Sequence, residues 1–258
     1  MKTNQAFEDY YKALYGGRWT NLRKALLEKS STVPFLGPRL VLPYRMDPAS
    51  LRAAESLRLA ETGTIFDACA APGGKSLVVA SSLPPDALLG ANEFSRERRR
   101  RLLSVLDSHL SDEARARVAV SGFDAASLGG KADYREKFSG ALLDAPCSSE
   151  RHVIQNEKAL SRWTPARPRF LAQRQWALLS SCFLMLKPGA SLVYATCALS
   201  AEENDGVAER LLAKYGDRAA LDPPDFPEGE ATRFGRIILP DCSGGSGPMY
   251  VARFLKKA

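Results

Sequence analysis

The pattern of apolar and polar residues changes near residue 60. Beyond that point, short apolar segments alternate with segments of helical periodicity, which is typical of a parallel sheet wrapped by helices. The predicted strands are 64–68, 87–91, 117–121, 139–143, 191–195, 236–239 and 249–254. The predicted helices are 74–82, 95–109, 169–186 and 201–214. We therefore predict an α/β fold with a mainly parallel seven-stranded sheet, its last strand antiparallel, and helices on both faces.

The segment before residue 60 differs from the rest. Residues 1–30 have helical periodicity and five aromatic side chains, whereas residues 31–48 hold four prolines. We predict that residues 1–60 form a small N-terminal helical cap and residues 61–258 a second domain. The chain begins without an apolar secretory segment, and no apolar run approaches the roughly 20 residues of a membrane span. We expect a cytoplasmic protein without a membrane partner.

Composition narrows the range of partners. The chain has 258 residues, 45% of them apolar, and a formal net charge of +7. This charge is compatible with a polyanionic partner, although many basic proteins bind no nucleic acid. The five cysteines, at 69, 147, 182, 197 and 242, form no CxxC pair and no Cys/His cluster at zinc spacing. We expect reduced thiols and no metal.

One segment carries the strongest signal for a ligand. Residues 67–75, Asp-Ala-Cys-Ala-Ala-Pro-Gly-Gly-Lys, lie between the first predicted strand and the first helix of the sheet. Small residues and glycines at such a turn let a ligand approach the backbone closely. The spacing of a phosphate-binding loop, GxxxxGK[ST], is absent, which argues against a nucleotide triphosphatase.

Polar residues also follow the other parallel strands: Glu93, Asp124, Asp144 with Cys147, and Cys197. Ligands of doubly wound sheets bind at the carboxyl ends of the strands. Acids after the second and third strands suit an adenosine, because one can accept from ribose hydroxyls and the other from the adenine amino group. Any single acid could merely cap a helix. Polar residues at all five strand ends favour a binding site.

Three motifs resemble one enzyme family. Residues 67–75, the segment Asp-Ala-Pro-Cys-Ser at 144–148 and the segment Tyr-Ala-Thr-Cys-Ala-Leu-Ser-Ala-Glu-Glu-Asn at 194–204 are similar to the Sun/nucleolar-protein family of RNA cytosine-5 methyltransferases. Residues 146–152 and Gly-Pro-Met-Tyr at 247–250 are similar to its mitochondrial ribosomal-RNA member. Ser149-Glu150 replaces glycines common in relatives, and Ala198 replaces the commonest residue, serine. No separate RNA-binding domain is visible.

The resemblance implies a Rossmann-like class I methyltransferase that transfers a methyl group from S-adenosylmethionine to carbon 5 of a cytosine in RNA, with ribosomal RNA first and transfer RNA second as substrate. We expect the N-terminal cap to offer an RNA-facing surface. The expected cofactor contacts are Cys69, Ala70, Ala71, Pro72, Gly73, Gly74, Lys75, Glu93 at the ribose, Arg98, Asp124 at the adenine, and Asp144. The expected catalytic residues are Cys197 as nucleophile, Cys147 assisting release, Asp144 between cofactor and base, and Lys75.

This chemistry requires such residues. Carbon 5 of cytosine is a poor nucleophile, and a thiolate added at carbon 6 makes it enamine-like, so that it can attack a sulfonium methyl group. The thiol must ionise, and Lys75 is a candidate for the positive neighbour that lowers its pKa. Asp144 could hydrogen-bond the exocyclic amine or the ring nitrogen. The base must leave its stack to reach the pocket.

Several alternatives stay open at this point. A DNA cytosine methyltransferase would use Cys147 as nucleophile, and an amine methyltransferase would leave both cysteines idle. A non-catalytic, RNA-binding ribosome-assembly factor could keep the same fold. The arginine-rich run 96–101 is either a solvated helix face or an RNA contact. Residues 162–169 mix cations with a tryptophan, which is typical of a loop on which bases stack.

Overall fold

The computed structural model describes residues 4–257, and its centre is a nine-stranded sheet in the order β5-β4-β3-β6-β7-β11-β10-β9, with β8 paired to β11. Strands β3 to β7 run parallel, and the later strands pair antiparallel. The strands are β1 Val33–Phe35, β2 Tyr44–Met46, β3 Thr62–Asp67, β4 Asp86–Asn92, β5 Val118–Ser121, β6 Phe138–Asp144, β7 Leu186–Thr196, β8 Ala219–Leu221, β9 Glu230–Ala231, β10 Arg236–Ile238 and β11 Met249–Lys256.

Helices cover both faces of this sheet. They are α1 Gln5–Tyr15, α2 Trp19–Leu27, α3 Pro48–Glu55, α4 Gly74–Ser82, α5 Arg96–His109, α6 Asp112–Ala116, α7 Ala125–Leu128, α8 Glu150–Gln155, α9 Glu157–Ser161, α10 Ala166–Met185 and α11 Asp205–Tyr215. Within residues 4–257 no helix has a stretch long and apolar enough to cross a membrane.

The alternation of side chains along each strand builds two apolar cores. Phe66 and Tyr194 face one core with helices α1, α2, α10 and α11, whereas Ile65 and Val193 face the other core with α3, α4 and α5. The central parallel strands β3, β6 and β7 are therefore buried on both faces, whereas the outer strands β4 and β5 keep exposed residues such as Leu88 and Ala119. The predicted α/β architecture with helices on both faces is confirmed.

The predicted count of seven strands is wrong. Strands β8 and β9 have three and two residues, too few for an alternating pattern to be visible in the sequence. Strand β7 begins at Leu186 rather than at residue 191, because the Lys-Pro-Gly segment taken for a turn lies within the strand. Strand β11 is antiparallel to β7, as predicted for the last strand.

The N-terminal region contains the predicted helices, and it also contains two short strands. Strands β1 and β2 form a small antiparallel pair within the proline-rich segment. Helices α1 and α2 bury Phe7, Tyr11 and Trp19 in the same core as the sheet, and Phe7 lies 5.1 Å from the ring of Trp163. The domain boundary near residue 60 stays a prediction, and residues 1–3 and 258 of the two domains lie outside the described residues.

Replacing Phe7 by alanine is expected to destabilise the whole fold by about 3–5 kcal/mol, because its buried ring packs against Tyr11 and Trp163. Urea unfolding measures the change. Leu14→Ala on the same helix, where the side chain is 41% exposed, should stay within about 0.5 kcal/mol. An early separate transition of the N-terminal helices, with the sheet unaffected, would contradict a shared core.

Candidate active site

Two thiols meet at the carboxyl edge of the sheet. Strands β6 and β7 are parallel neighbours, and Asp144 at the end of β6 pairs with Ala195 near the end of β7. The chain then continues to Cys147 from one strand and to Cys197 from the other, and their Sγ atoms lie 3.0 Å apart. Both thiols are free and partly buried. Two sulfur atoms from different motifs therefore face one site.

The surroundings of the two thiols make them unequal. The hydrogen bond from Cys147 is the largest influence on Cys197 and lowers the pKa of its thiol, although burial opposes this. The hydroxyl of Ser149, 3.3 Å away, acts in the same direction. The same pairing, together with burial, raises the pKa of Cys147 well above its usual value. Cys197 is thus the sulfur that ionises more readily, and in its thiolate form it accepts a hydrogen bond from Cys147.

A buried pair of acids lies behind these loops. Glu150 and Glu203 are both fully buried and both accept from the hydroxyl of Ser148, next to Cys147. Glu150 also accepts from the hydroxyl of Tyr11 and, at 2.9 Å, from the backbone N–H of Leu199. Burial, followed by the charge of Glu150, raises the pKa of Glu203 to about 7. The pair fastens the two cysteine loops and helix α1 together.

Lys75 and Asp144 form a second charged pair between the glycine turn and the thiols. The Nζ of Lys75 lies 2.7 Å from Oδ2 of Asp144 and 3.4 Å from the hydroxyl of Ser50. Burial opposes the charge of Lys75, but Asp144 keeps the pKa of the ammonium above its usual value. Lys75 therefore acts directly on Asp144, and the main cause of the lowered pKa at Cys197 is Cys147.

The glycine turn borders a cleft of about 130 Å³. Gly73 has a φ of +124°, and a Cβ on Gly74 would lie 2.8 Å from the ring of Tyr44, so neither position suits a side chain. The cleft is lined by Tyr44, Arg45, Met46, Ser50, Asp67, Cys69, Ala70, Ala71, Pro72, Gly74, Lys75 and Asp144. Burial raises the pKa of Asp67 to about 7, and its Oδ1 has no hydrogen-bond partner.

A second cleft adjoins the first, since Cys69 lines both. Glu93 is buried there; its Oε1 accepts from the N–H of Ser95 at 2.8 Å, and its Oε2 has no hydrogen bond although Arg98 lies 3.1 Å away. Arg98 also donates to the carbonyl of Ala71 at 2.7 Å. The cleft is completed by Ala68, Asn92, Phe94, Ser95, Phe123, Ala125, Pro146, Arg174 and Leu178. A buried acceptor beside exposed aromatic rings suits a nucleoside.

Asp124 is placed differently from the other predicted contacts. Its side chain caps helix α7 by accepting from the N–H of Ala126, and it forms an ion pair with Arg174 at 2.5 Å. This hydrogen bond from Arg174 lowers the pKa of Asp124. Its neighbours Phe123 and Ala125 line the second cleft, whereas Asp124 does not.

A third cavity, of about 350 Å³, contains Cys197. Ser50 borders both this cavity and the glycine cleft, so the cavity that contains Cys197 is adjacent to the glycine turn. The cavity is lined by Ser30, Asp47, Ser50, Ser149, Arg151, His152, Gln155, Cys197, Gly247, Pro248 and Met249. Within residues 4–257 no group of three or more His, Cys, Asp or Glu is arranged to hold a metal ion.

Comparison with known proteins shows the family to which the chain belongs. A family model described as "16S rRNA methyltransferase RsmB/F" matches residues 54–255. The chain belongs to the RsmB/F family. Ribosomal RNA small subunit methyltransferase F from Aeromonas salmonicida is 41% identical over 160 residues, which cover 62% of this chain and 32% of that protein. Its counterpart from Vibrio parahaemolyticus is 32% identical over 250 residues, covering 93% and 50%.

The chain therefore spans half or less of the length of these curated relatives. Solved structures agree in fold. A methyltransferase homolog protein from Pyrococcus horikoshii has a TM-score of 0.75 at 23% identity and covers 98% of this chain and 95% of its own. NSun6 from the same organism, with SFG, has a TM-score of 0.70 at 24% identity, covering 84% and 54%. At these identities the likeness shows the fold alone.

The structure of this RsmB/F chain brings most of the predicted site residues to one edge. Residues missed in the sequence are the buried acids Asp67, Glu150 and Glu203, because acids within a motif give no sign of their burial. The hypothesis that residues 162–169 offer an aromatic ring to RNA is wrong for Trp163, which is 3% exposed. Its ring packs against helix α1 instead.

Cys147→Ala is expected to raise the pKa of Cys197, because the thiolate loses the hydrogen bond that stabilises it. Alkylation of Cys197 by iodoacetamide, followed across pH by peptide mass spectrometry, should then begin at higher pH than in the unmodified protein. Cys242→Ala, in an exposed loop, is the matched control and should leave the profile unchanged. An unshifted profile in Cys147→Ala would disprove the assigned donor.

Proposed function

We propose that this RsmB/F chain transfers a methyl group from S-adenosylmethionine to carbon 5 of a cytosine in RNA, with Cys197 as nucleophile. The observation that carries the proposal is the pair of thiols 3.0 Å apart, in which the pKa of Cys197 is lowered. A cytosine-5 methyltransferase needs one sulfur that ionises and attacks carbon 6. The RsmB/F match over residues 54–255 supports the same reaction class.

The two adjoining clefts fit the proposed cofactor. Glu93 offers a buried oxygen that has no hydrogen bond, although it is ion-paired with Arg98 at 3.1 Å, and it could accept from ribose hydroxyls. The turn at 70–75 leaves backbone groups open to the methionine part. Asp124 could take the adenine amino group only by sharing its carboxylate with Arg174. S-adenosylmethionine supplies an electrophilic methyl group when it is bound.

The residues at the sheet edge account for the steps on the base. The Cys197 thiolate adds to carbon 6, and the electron pair displaced from the ring makes carbon 5 nucleophilic. Asp144, held by Lys75 at 2.7 Å, is placed to accept from the exocyclic amine and orient the base. After methyl transfer, carbon 5 gives its proton to solvent water. The electron pair of that C–H bond restores the double bond between carbons 5 and 6, and the bond from carbon 6 to sulfur breaks to release the Cys197 thiolate. Cys147 then returns its hydrogen bond to the departing thiolate and favours release.

Small-subunit ribosomal RNA is the proposed substrate, and transfer RNA is the second candidate. The names of the curated relatives support the first, since two of them are ribosomal RNA small subunit methyltransferase F. The net charge of +7 suits a polyanion of either kind. Such a substrate places the protein where ribosomes are assembled, and we retain the cytoplasm as its compartment.

Substitution of the two cysteines tests this proposal. Cys197→Ala should abolish methylation of small-subunit ribosomal RNA from a strain lacking the gene, because the sulfur whose pKa is lowered, and which attacks carbon 6, is removed. Cys147→Ala should allow attack and methyl transfer but slow the elimination. A covalent adduct of protein and RNA should therefore accumulate and survive denaturing gel electrophoresis.

The double substitution should remove that adduct, while calorimetry shows that all variants still bind S-adenosylmethionine. Cys242→Ala is the control and should behave as the unmodified protein. The roles would be reversed if Cys197→Ala gave the trapped adduct and Cys147→Ala were simply inactive, as expected of a DNA-type enzyme. Full methylation by Cys197→Ala would exclude thiol catalysis at this position altogether.

A further inference from the structure

The third cavity, which contains Cys197, also contains a cation without a counter-ion. Arg151, on helix α8, lines this cavity, and its Nε and Nη1 are buried without a hydrogen-bond partner. Its Nη2 donates to the carbonyl of Gly245 at 3.0 Å. Among residues 4–257 no carboxylate lies within 4.0 Å of this guanidinium, whereas the arginines at 18, 23, 52, 58 and 98 each have such a partner.

This arrangement is unfavourable unless another group completes it. Burial lowers the pKa of Arg151, which means that the charged form is poorly solvated where it lies. The nearby acids Asp47 and Glu28 act on Arg151 only at a distance. The two oxygens of Asp47 already accept from the hydroxyls of Ser30 and Ser246 and from backbone N–H groups. The guanidinium therefore keeps two donors, Nε and Nη1, that no group of residues 4–257 satisfies.

We propose that Arg151 binds the phosphate on the 5′ side of the target cytosine, an inference that rests on the proposed function of Cys197. Sulfur attack places carbon 6 in this cavity, and in the anti conformation of a pyrimidine nucleotide carbon 6 is the ring atom nearest to the 5′ oxygen. The 5′ phosphate then enters the same cavity. The carbonyl O2 lies on the opposite side of the glycosidic nitrogen and points away.

The chemistry of the side chain agrees with a phosphate. A guanidinium is weakly hydrated, stays charged when buried, and presents several donors that match phosphate oxygens. The cavity of about 350 Å³ also has more room than a lone pyrimidine ring needs. Arg151 thus fixes the backbone of the flipped nucleotide while Cys197 and Asp144 act on its base.

A thermodynamic cycle between protein and RNA tests this contact. The probe is a synthetic fragment of small-subunit ribosomal RNA that contains the target cytosine. The linkage on the 5′ side of this cytosine is either a normal phosphate or a neutral methylphosphonate. Both fragments carry a 2′-deoxy sugar at the preceding nucleotide, which keeps the modified linkage stable. Dissociation constants are measured for the unmodified protein, Arg151→Gln and the exposed-helix control Arg100→Gln.

Arg151→Gln should weaken binding of the normal RNA about tenfold or more, which is the size expected for a lost charge-assisted hydrogen bond. The methylphosphonate should weaken RNA binding by the unmodified protein by a similar factor. It should not weaken RNA binding by Arg151→Gln any further. In Arg100→Gln the loss of affinity caused by the substitution and the loss caused by the methylphosphonate should multiply, because the two act independently. Arg151→Lys keeps the charge and should keep part of the sensitivity to the methylphosphonate. Melting curves and S-adenosylmethionine binding verify that each variant is folded.

Two results would overturn the inference while leaving the proposed function intact. In one, the losses from Arg151→Gln and from the methylphosphonate multiply. In the other, Arg151→Gln lowers kcat with an unchanged dissociation constant, which would indicate a contact with the base. If the unmodified protein methylates no cytosine at all, the proposed function fails, and this inference fails with it.

Discussion

The parallel pairing of β6 with β7 is the constraint on which the candidate site depends. The register that sets Asp144 beside Ala195 fixes the starting points of two short loops, and each loop reaches a cysteine within three residues. The position of each loop is also fixed by hydrogen bonds to buried acids. These acids are Glu150 and Glu203, which accept from Ser148 beside Cys147 and from Leu199 beyond Cys197. The strand register and these hydrogen bonds together bring the two sulfur atoms to 3.0 Å from each other.

Buried charges connect this edge to the rest of the molecule. Glu150 and Glu203 are fully buried neighbours, and burial, followed by the charge of Glu150, raises the pKa of Glu203 to about 7. Tyr11 donates to Glu150, so helix α1 contacts the site through the acid pair. On the other side, Lys75 and Asp144 join the glycine turn to the strand that carries Cys147. The site is thus assembled from distant parts of the chain.

Much of this arrangement could be predicted from the sequence. The alternation of strands and helices indicated the fold, and polar residues after successive strands indicated the edge at which Glu93, Asp144 and Cys197 lie. Strands β8 and β9 were too short to leave a pattern. The burial of Trp163 and the missing counter-ion of Arg151 could not be predicted, because both depend on packing between distant segments. Asp124 was predicted at the correct strand end, but its pairing with Arg174 was not foreseen.

We propose that this chain methylates carbon 5 of cytosine in small-subunit ribosomal RNA. The most direct test is to incubate the purified protein with that RNA and with S-adenosylmethionine carrying a deuterated methyl group, and to analyse the digested nucleosides by mass spectrometry. If the proposed reaction occurs, the label appears in 5-methylcytidine and at one mapped cytosine. Label in another nucleoside, or at the exocyclic nitrogen of cytidine, would contradict it.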